Sequence, residues 1–268
     1  GRSRMLGREF GVALGTRSKC VKEVFVESVV AAGATAVQAD DAAKKMAEAF
    51  SSDTLLYISK EEVNALTAYA QNLQFDPSKF KEKEIYKLAQ DALNPSVDGL
   101  DIVLFGRMVA KATEMNVEAA SSFSHAISTH KVENDLDFFT ALDDNAEDPG
   151  AAHMGIVEFN SATYYRYVSL DLGALGKYLD APQMKAAIEA FTKALYIAVP
   201  SARQSTMAGS SVWDFARVFV RKGQRLQASF DQPVRAREDG YSKPSIEALK
   251  AYLNKKKTVQ DEKRQIQT

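Results

Sequence analysis

Residues 121–159 read SSFSHAISTHKVENDLDFFTALDDNAEDPGAAHMGIVEF, and their pattern decides how the rest of the chain divides. Two apolar flanks run toward each other across a polar tip, DDNAEDPGA, that holds Pro149 and Gly150. Such a tip between such flanks predicts a long β-hairpin or arm rather than a core helix. From Lys131 to Asp148 one positive residue stands against seven acidic ones: Glu133, Asp135, Asp137, Asp143, Asp144, Glu147 and Asp148. An acidic arm carrying aromatic side chains offers wedges or stacking platforms, but it is a poor partner for a phosphate backbone. Phe138 and Phe139 sit inside it. Neighbouring strand residues face opposite sides, so both cannot enter one core, and one of them faces solvent or a partner.

Outward from the arm, composition sets bounds. The chain has 268 residues, 46% of them hydrophobic, enough for one large core or two modest ones. Net charge is −1, so a nucleic-acid binder of this composition must segregate its positive side chains. That segregation exists. Residues 2–19 carry Arg2, Arg4, Arg8, Arg17 and Lys19 against Glu9. Residues 198–238 carry Arg203, Arg217, Arg221, Lys222, Arg225, Arg235 and Arg237 against Asp214, Asp231 and Glu238. The lone cysteine, Cys20, excludes an internal disulfide and a cysteine-rich zinc site and fits a reducing compartment. No apolar run has the length of a membrane span and no signal peptide is visible, so a cytoplasmic protein is expected. The start, Gly1-Arg2-Ser3-Arg4, enters a helical pattern directly and reads as a fragment of a longer chain.

Helical periodicity appears over 2–14, 18–32 (ending at Gly33), 36–50, about 60–72 and 78–93. Ser59-Lys60-Glu61-Glu62 is a capping box that opens the fourth of these. Alanine, lysine and glutamate at helical spacing over 18–93 predict a packed bundle with a wet outer face and no chemistry. The dense apolar run Ile102-Val103-Leu104-Phe105 predicts a strand, ending in Gly106-Arg107-Met108. Residues 162–172, rich in Tyr and Val, predict another strand. A helix led by Pro182 spans 182–198. Residues 212–221 suit a strand and also accommodate a helix. A last helix lies within 242–254, followed by a charged tail expected to fray.

His125, His130 and His153 are the protein's three histidines, and the five-residue gap between the first two does not suit a helical metal-binding pair. A hydrogen-bonding role in the arm is expected for them instead. There is no G-x-S-x-G, no P-loop and no G-x-G-x-x-G, so no catalytic residue, metal ligand or cofactor is assigned. Met108 would by burial preference be a core methionine.

These residues also carry a family resemblance. H-A-I-S-T-H-x-V-x-x-D-x-D-F-F-T-A-x-D-D, followed by G-A-A-H-M-G-x-x-E-F, resembles the thumb of the CasC family, the repeated backbone subunit of the type I-E CRISPR complex Cascade. L-F-G-R-M at 104–108, Y-Y-R-Y at 164–167 and V-P-S-A-R-Q at 199–204 follow the family's order. The resemblance implies an α+β fold. It has an RRM-like (ferredoxin-like) palm over 1–17, 94–120 and 157–268, a helical fingers domain over 18–93, and a hairpin thumb over 121–156. The palm's first strand and a Ser/Gln/Lys RNA-contact segment would lie upstream. It implies a non-enzymatic protein that polymerises along CRISPR guide RNA (crRNA), with further copies of itself, other Cascade subunits and, through the guide, a target DNA strand as partners. Phe138, Phe139, Thr140, Leu142 and Met154 would press on the guide, the first standing where the family often has tryptophan. Met108 would insert beside a displaced base, as a polarizable apolar side chain suits. Arg107, Arg203 and Gln204 would reach phosphate or sugar, with Arg2 and Arg4 ending a basic RNA-facing element. The competing enzymatic reading is a type III-like backbone subunit that cleaves RNA with a thumb aspartate.

Overall fold

The computed structural model describes residues 15–18, 21–50, 55–142, 151–198, 211–223 and 225–265. The expected helix over 2–14, the polar tip at 143–150 and the turn at 199–204 lie outside them, and with them Arg2, Arg4, Arg203 and Gln204. The described chain mixes helix and sheet. It divides into two compact units: Gly1–Ser122 with Leu170–Asp214, and Phe123–Ser169 with Phe215–Thr268.

The first unit is built on helices Val21–Ala31, Ala36–Phe50, Lys60–Asn72 and Glu82–Ala92. Each has a local reason to start or stop where it does. Gly33, at φ 99°, closes the first, its amide donating to the Val30 carbonyl at 3.0 Å. Thr35 and Gln38 cap the second reciprocally. Ser59 and Glu62 form the expected capping box on the third: the Glu62 amide donates to Ser59 Oγ at 3.1 Å, and the Ser59 amide to Glu62 Oε2 at 2.8 Å. Phe25, Met46, Leu66 and Ile85 meet in the shared core, fully buried. Each such side chain contributes about 1.5–3 kcal/mol relative to exposure. The Phe25 and Phe50 rings stack at 6.0 Å, and the Tyr86 hydroxyl donates to the Ala49 carbonyl at 2.9 Å. Helix Ala181–Ile197 starts on a second capping box, Asp180 with Gln183, and has proline in its first turn.

The strand expected at 102–105 is instead the end of a short helix, Leu100–Phe105. Leu100, Ile102, Val103 and Leu104 are all buried, so the run is apolar all round and carries no period that separates helix from strand. The helix stops at Gly106, whose φ of 77° and amide bond to the Ile102 carbonyl at 2.8 Å turn the chain away.

The second unit contains the hairpin expected from the polar tip. Strands Asp135–Leu142 and Ala151–Phe159 pair antiparallel, from Asp135↔Phe159 to Leu142↔Ala151. The register slips between Ala141 and Leu142, leaving Ala152 without an opposite residue. The root of the hairpin is pinned. The His130 ring stacks on Tyr241 at 3.7 Å and accepts the Thr163 amide at Nε2, 3.1 Å away. Its Nδ1 lies 2.8 Å from the Lys131 carbonyl, so the proton sits on Nδ1. Thr129 and Ser245 share a buried hydroxyl–hydroxyl bond of 2.7 Å.

Other expectations for this part of the chain change in detail. The strand expected over 162–172 is broken into Tyr164–Tyr165 and Val168–Leu170. Residues 212–221 form neither strand nor helix; Val218 and Val220 are exposed there, so the alternation of the sequence has no core behind it. The last helix runs Ser242–Gln265, through the tail expected to fray, because Lys, Glu and Gln are good helix formers.

Candidate functional site

The hairpin presents aromatic and aliphatic side chains on both faces. Phe138 is opposite Ile156 and Phe139 is opposite Gly155. Phe138 is 67% exposed and Phe139 45%. Leu136 and Ile156 are exposed on the Phe138 face. A two-stranded ribbon has no core of its own, so the adjacent pair both stay accessible, where the sequence required only one. The Phe139 ring lies over Gly155: a Cβ placed there would stand 2.4 Å from its Cζ. The missing side chain of Gly155 is what seats that ring. Thr140 pairs with Met154, and Leu142 with Ala151, in the same ladder. Asp135, Asp137 and Glu158 are exposed along it, which leaves the ribbon apolar and acidic at once.

Arg107 and Met108 belong to the first unit and have opposite environments. The Met108 side chain is 76% exposed, against the burial expected of a lone methionine. The Arg107 side chain is 1% exposed, and its guanidinium lies in a buried ion pair. Nη1 donates to Glu62 Oε1 and Oε2 at 2.7 and 2.8 Å and to the Tyr57 carbonyl at 3.3 Å; Nε donates to the Met115 carbonyl at 2.9 Å. The structure places this guanidinium, expected at phosphate or sugar, in a buried ion pair with Glu62. Its Nε and Nη1 donors are taken up by one carboxylate and two carbonyls of the protein itself. Burial lifts Glu62 above its ordinary carboxylate pKa, while Arg107 and then Ser59 pull it down.

Glu62 is the residue the sequence did not single out beyond its capping role. It lies 45 positions from Arg107. The only local signal was a glutamate in a capping box being asked to sit at the start of a helix otherwise facing a core.

The basic groups of the second unit are on its surface. Arg217, Lys222, Arg225, Arg235 and Arg237 are exposed. Arg217 donates to Asn254 Oδ1 at 3.0 Å and lies 5.1 Å from the Phe219 ring centroid; Arg237 pairs with Glu247 at 2.8 Å. His125 is exposed. Among the described residues no group of three or more His, Cys, Asp or Glu is placed to hold a metal ion. No described helix is long and apolar enough to cross a membrane.

Comparison with known proteins bears on this arrangement. The model of the CT1975-like protein family matches residues 2–267. A chain of a solved CRISPR RNA-guided surveillance complex, pre-nicking, has the same fold at TM-score 0.75 and 22% identity, covering 96% of this chain and 78% of that one. A chain of another CRISPR RNA-guided surveillance complex matches at TM-score 0.50 and 28% identity, covering 60% of this chain and 63% of that one. Among curated proteins nothing matches.

Proposed function

From the premise that the chain belongs to the CT1975-like protein family, we propose that it is a guide-RNA-binding backbone subunit of a type I-E CRISPR surveillance complex. The family match over residues 2–267 carries this reading. Several copies line one crRNA and hold it for pairing with a target DNA strand. Base pairing reads the sequence, and the protein reads backbone and shape. In this reading residues 121–156, which hold most of the ribbon, are the thumb, the helices over 18–93 are the fingers, and the remainder is an RRM-like palm.

Division of labour follows from exposure and charge. Met108, Phe138 and Phe139 are exposed apolar side chains, and with Thr140, Leu142 and Met154 they displace guide bases at intervals. Unstacking costs a few kcal/mol per step, offset by contacts on the bent RNA. Arg2, Arg4, Arg203 and Gln204 are proposed to contact the guide backbone. The acidic thumb of one copy docks on the basic surface of the next, a contact that does not close on itself and so builds a filament. The subunit itself is non-catalytic and cytoplasmic, with the other subunits of the complex as partners.

The test uses the assembled complex. Phe139→Ala, Leu142→Ala and Met154→Ala together are expected to leave guide binding intact. The periodic pattern of chemically reactive guide bases, and with it stable target pairing, is expected to vanish. Unchanged reactivity and target affinity reduce the hairpin to an assembly clasp. Labelled target incubated with the complex and divalent metal is expected to stay whole. Cuts that disappear with Asp135→Ala or Asp137→Ala overturn the non-catalytic part.

A further inference from the structure

The backbone that carries Met108 is held on every side. Gly106 has a conformation that disfavours any side chain, and a Cβ there would stand 3.1 Å from both the Ala119 amide nitrogen and the Val117 carbonyl oxygen. Arg107 and Val117 exchange both backbone hydrogen bonds, each at 2.9 Å. Val109 is buried, and its amide donates to Asn116 Oδ1 at 2.7 Å. Beneath this segment the Arg107 guanidinium joins three pieces of chain: the cap of helix Lys60–Asn72 through Glu62, strand Leu56–Ile58 through the Tyr57 carbonyl, and the return loop through the Met115 carbonyl. Glu62 is itself fixed by the Ser59 amide. Between these two buried anchors, Arg107 and Val109, one apolar side chain is thrust into solvent.

Stability does not require this arrangement. A buried ion pair loses much of its attraction to desolvation, and an apolar pair of the same volume commonly serves as well. What the guanidinium adds is geometry: directed bonds that specify where the chain runs. We propose that Arg107, with Glu62, is a positioning residue that fixes the backbone from which Met108 reaches the guide RNA. The inference rests on the reading of Met108 as a guide-contacting side chain. It replaces the phosphate contact expected of Arg107 with an indirect role.

The experiment places a photoreactive diazirine analogue at position 108 of the full chain, assembled with guide RNA and the other subunits, and maps the crosslinked nucleotides. In the parent, crosslinks are expected at a single guide nucleotide per copy. In the double variant Glu62→Leu with Arg107→Met, two apolar groups replace the pair. Guide binding is expected to persist, with a lower melting temperature because the Ser59 amide loses its cap and the Tyr57 and Met115 carbonyls lose their guanidinium donor. The crosslinks at the principal nucleotide are expected to fall severalfold and spread to its neighbours, while those from an analogue at position 138 stay as they were. If the parent gives no crosslink at 108, the guide-contacting reading of Met108 is wrong. If parent and double variant crosslink with equal sharpness, that reading stands and the positioning role is overturned. Should the double variant fail to assemble, Arg107→Lys, which keeps the charge pair and loses the Nε bond, is judged by the same spread.

Discussion

The Arg107 node and the Asp135–Phe159 ribbon use similar side chains in opposite ways. At the node a guanidinium and a carboxylate are withdrawn from water and bonded to each other and to the backbone. Along the ribbon, carboxylates and aromatic rings stand in solvent with one strand behind them. Charge at the node determines where the chain goes; charge on the ribbon leaves the path to the ladder and determines what approaches. The difference teaches that a residue's chemistry alone does not give its role. An arginine beside an exposed methionine is a structural tie, and a phenylalanine pair is a surface.

That comparison breaks most sharply at the node. Arg107→Ala strands the buried Glu62 carboxylate and is expected to cost about 3–5 kcal/mol in thermal or denaturant unfolding. An unmoved melt would mean that the pair is open to water. A smaller effect is expected from Gly155→Ala, which tests whether the ribbon contains one packed site of its own. The added methyl collides with the Phe139 ring. The ring is the end of a flexible side chain, so a cost of about 1 kcal/mol is expected, at the low end for overpacking. Guide-base reactivity should shift along with the ring. No shift in reactivity would separate Phe139 from the guide. Phe138→Ala sharpens the contrast further. Unfolding free energy is expected to change by no more than about 0.5 kcal/mol, as for exposed positions generally, and guide-base displacement is expected to weaken. A large loss of stability would place Phe138 in a core.

The smallest effect is one of pH. Burial raises the Glu62 carboxyl above its usual 4.5, so on acidification the folded protein takes up a proton there before the unfolded chain does. The stability this contributes is present in full below the unfolded value and is lost as pH rises through the folded one. The parent is therefore expected to gain in melting temperature over Glu62→Gln as the solution is taken from neutrality toward 4.5. A difference that stays flat across that interval removes the burial effect.

Much of this was legible in the sequence where the signal is local. Ser59 and Glu62 announce a capping box because its partners are three residues apart. The hairpin is announced by turn chemistry between two apolar flanks. The segment Leu100–Phe105 was misread because a helix buried on all sides leaves no period, and length alone did not separate the two. The burial of Arg107 was not legible because its partner Glu62 is 45 positions away in sequence. The exposure of Met108 is set by what is buried on either side of it, and no pattern in the residues themselves contains that. Likewise, the alternation at 212–221 looked like a strand because alternation records side-chain direction and not whether a neighbouring strand exists.

Among the described residues the ribbon's two strands form a two-stranded sheet of their own, and each offers an outer row of amides and carbonyls. An apolar ribbon of that kind is a template on which other chains could extend a sheet without limit. Asp135 and Asp137 on one strand and Glu158 on the other put like charges on both outer edges. The Ala152 irregularity twists the strand out of line near its far end. Those carboxylates thus act as gatekeepers against sheet growth, and a variant that neutralises all three would be at risk of precipitating as fibres while its fold remains intact.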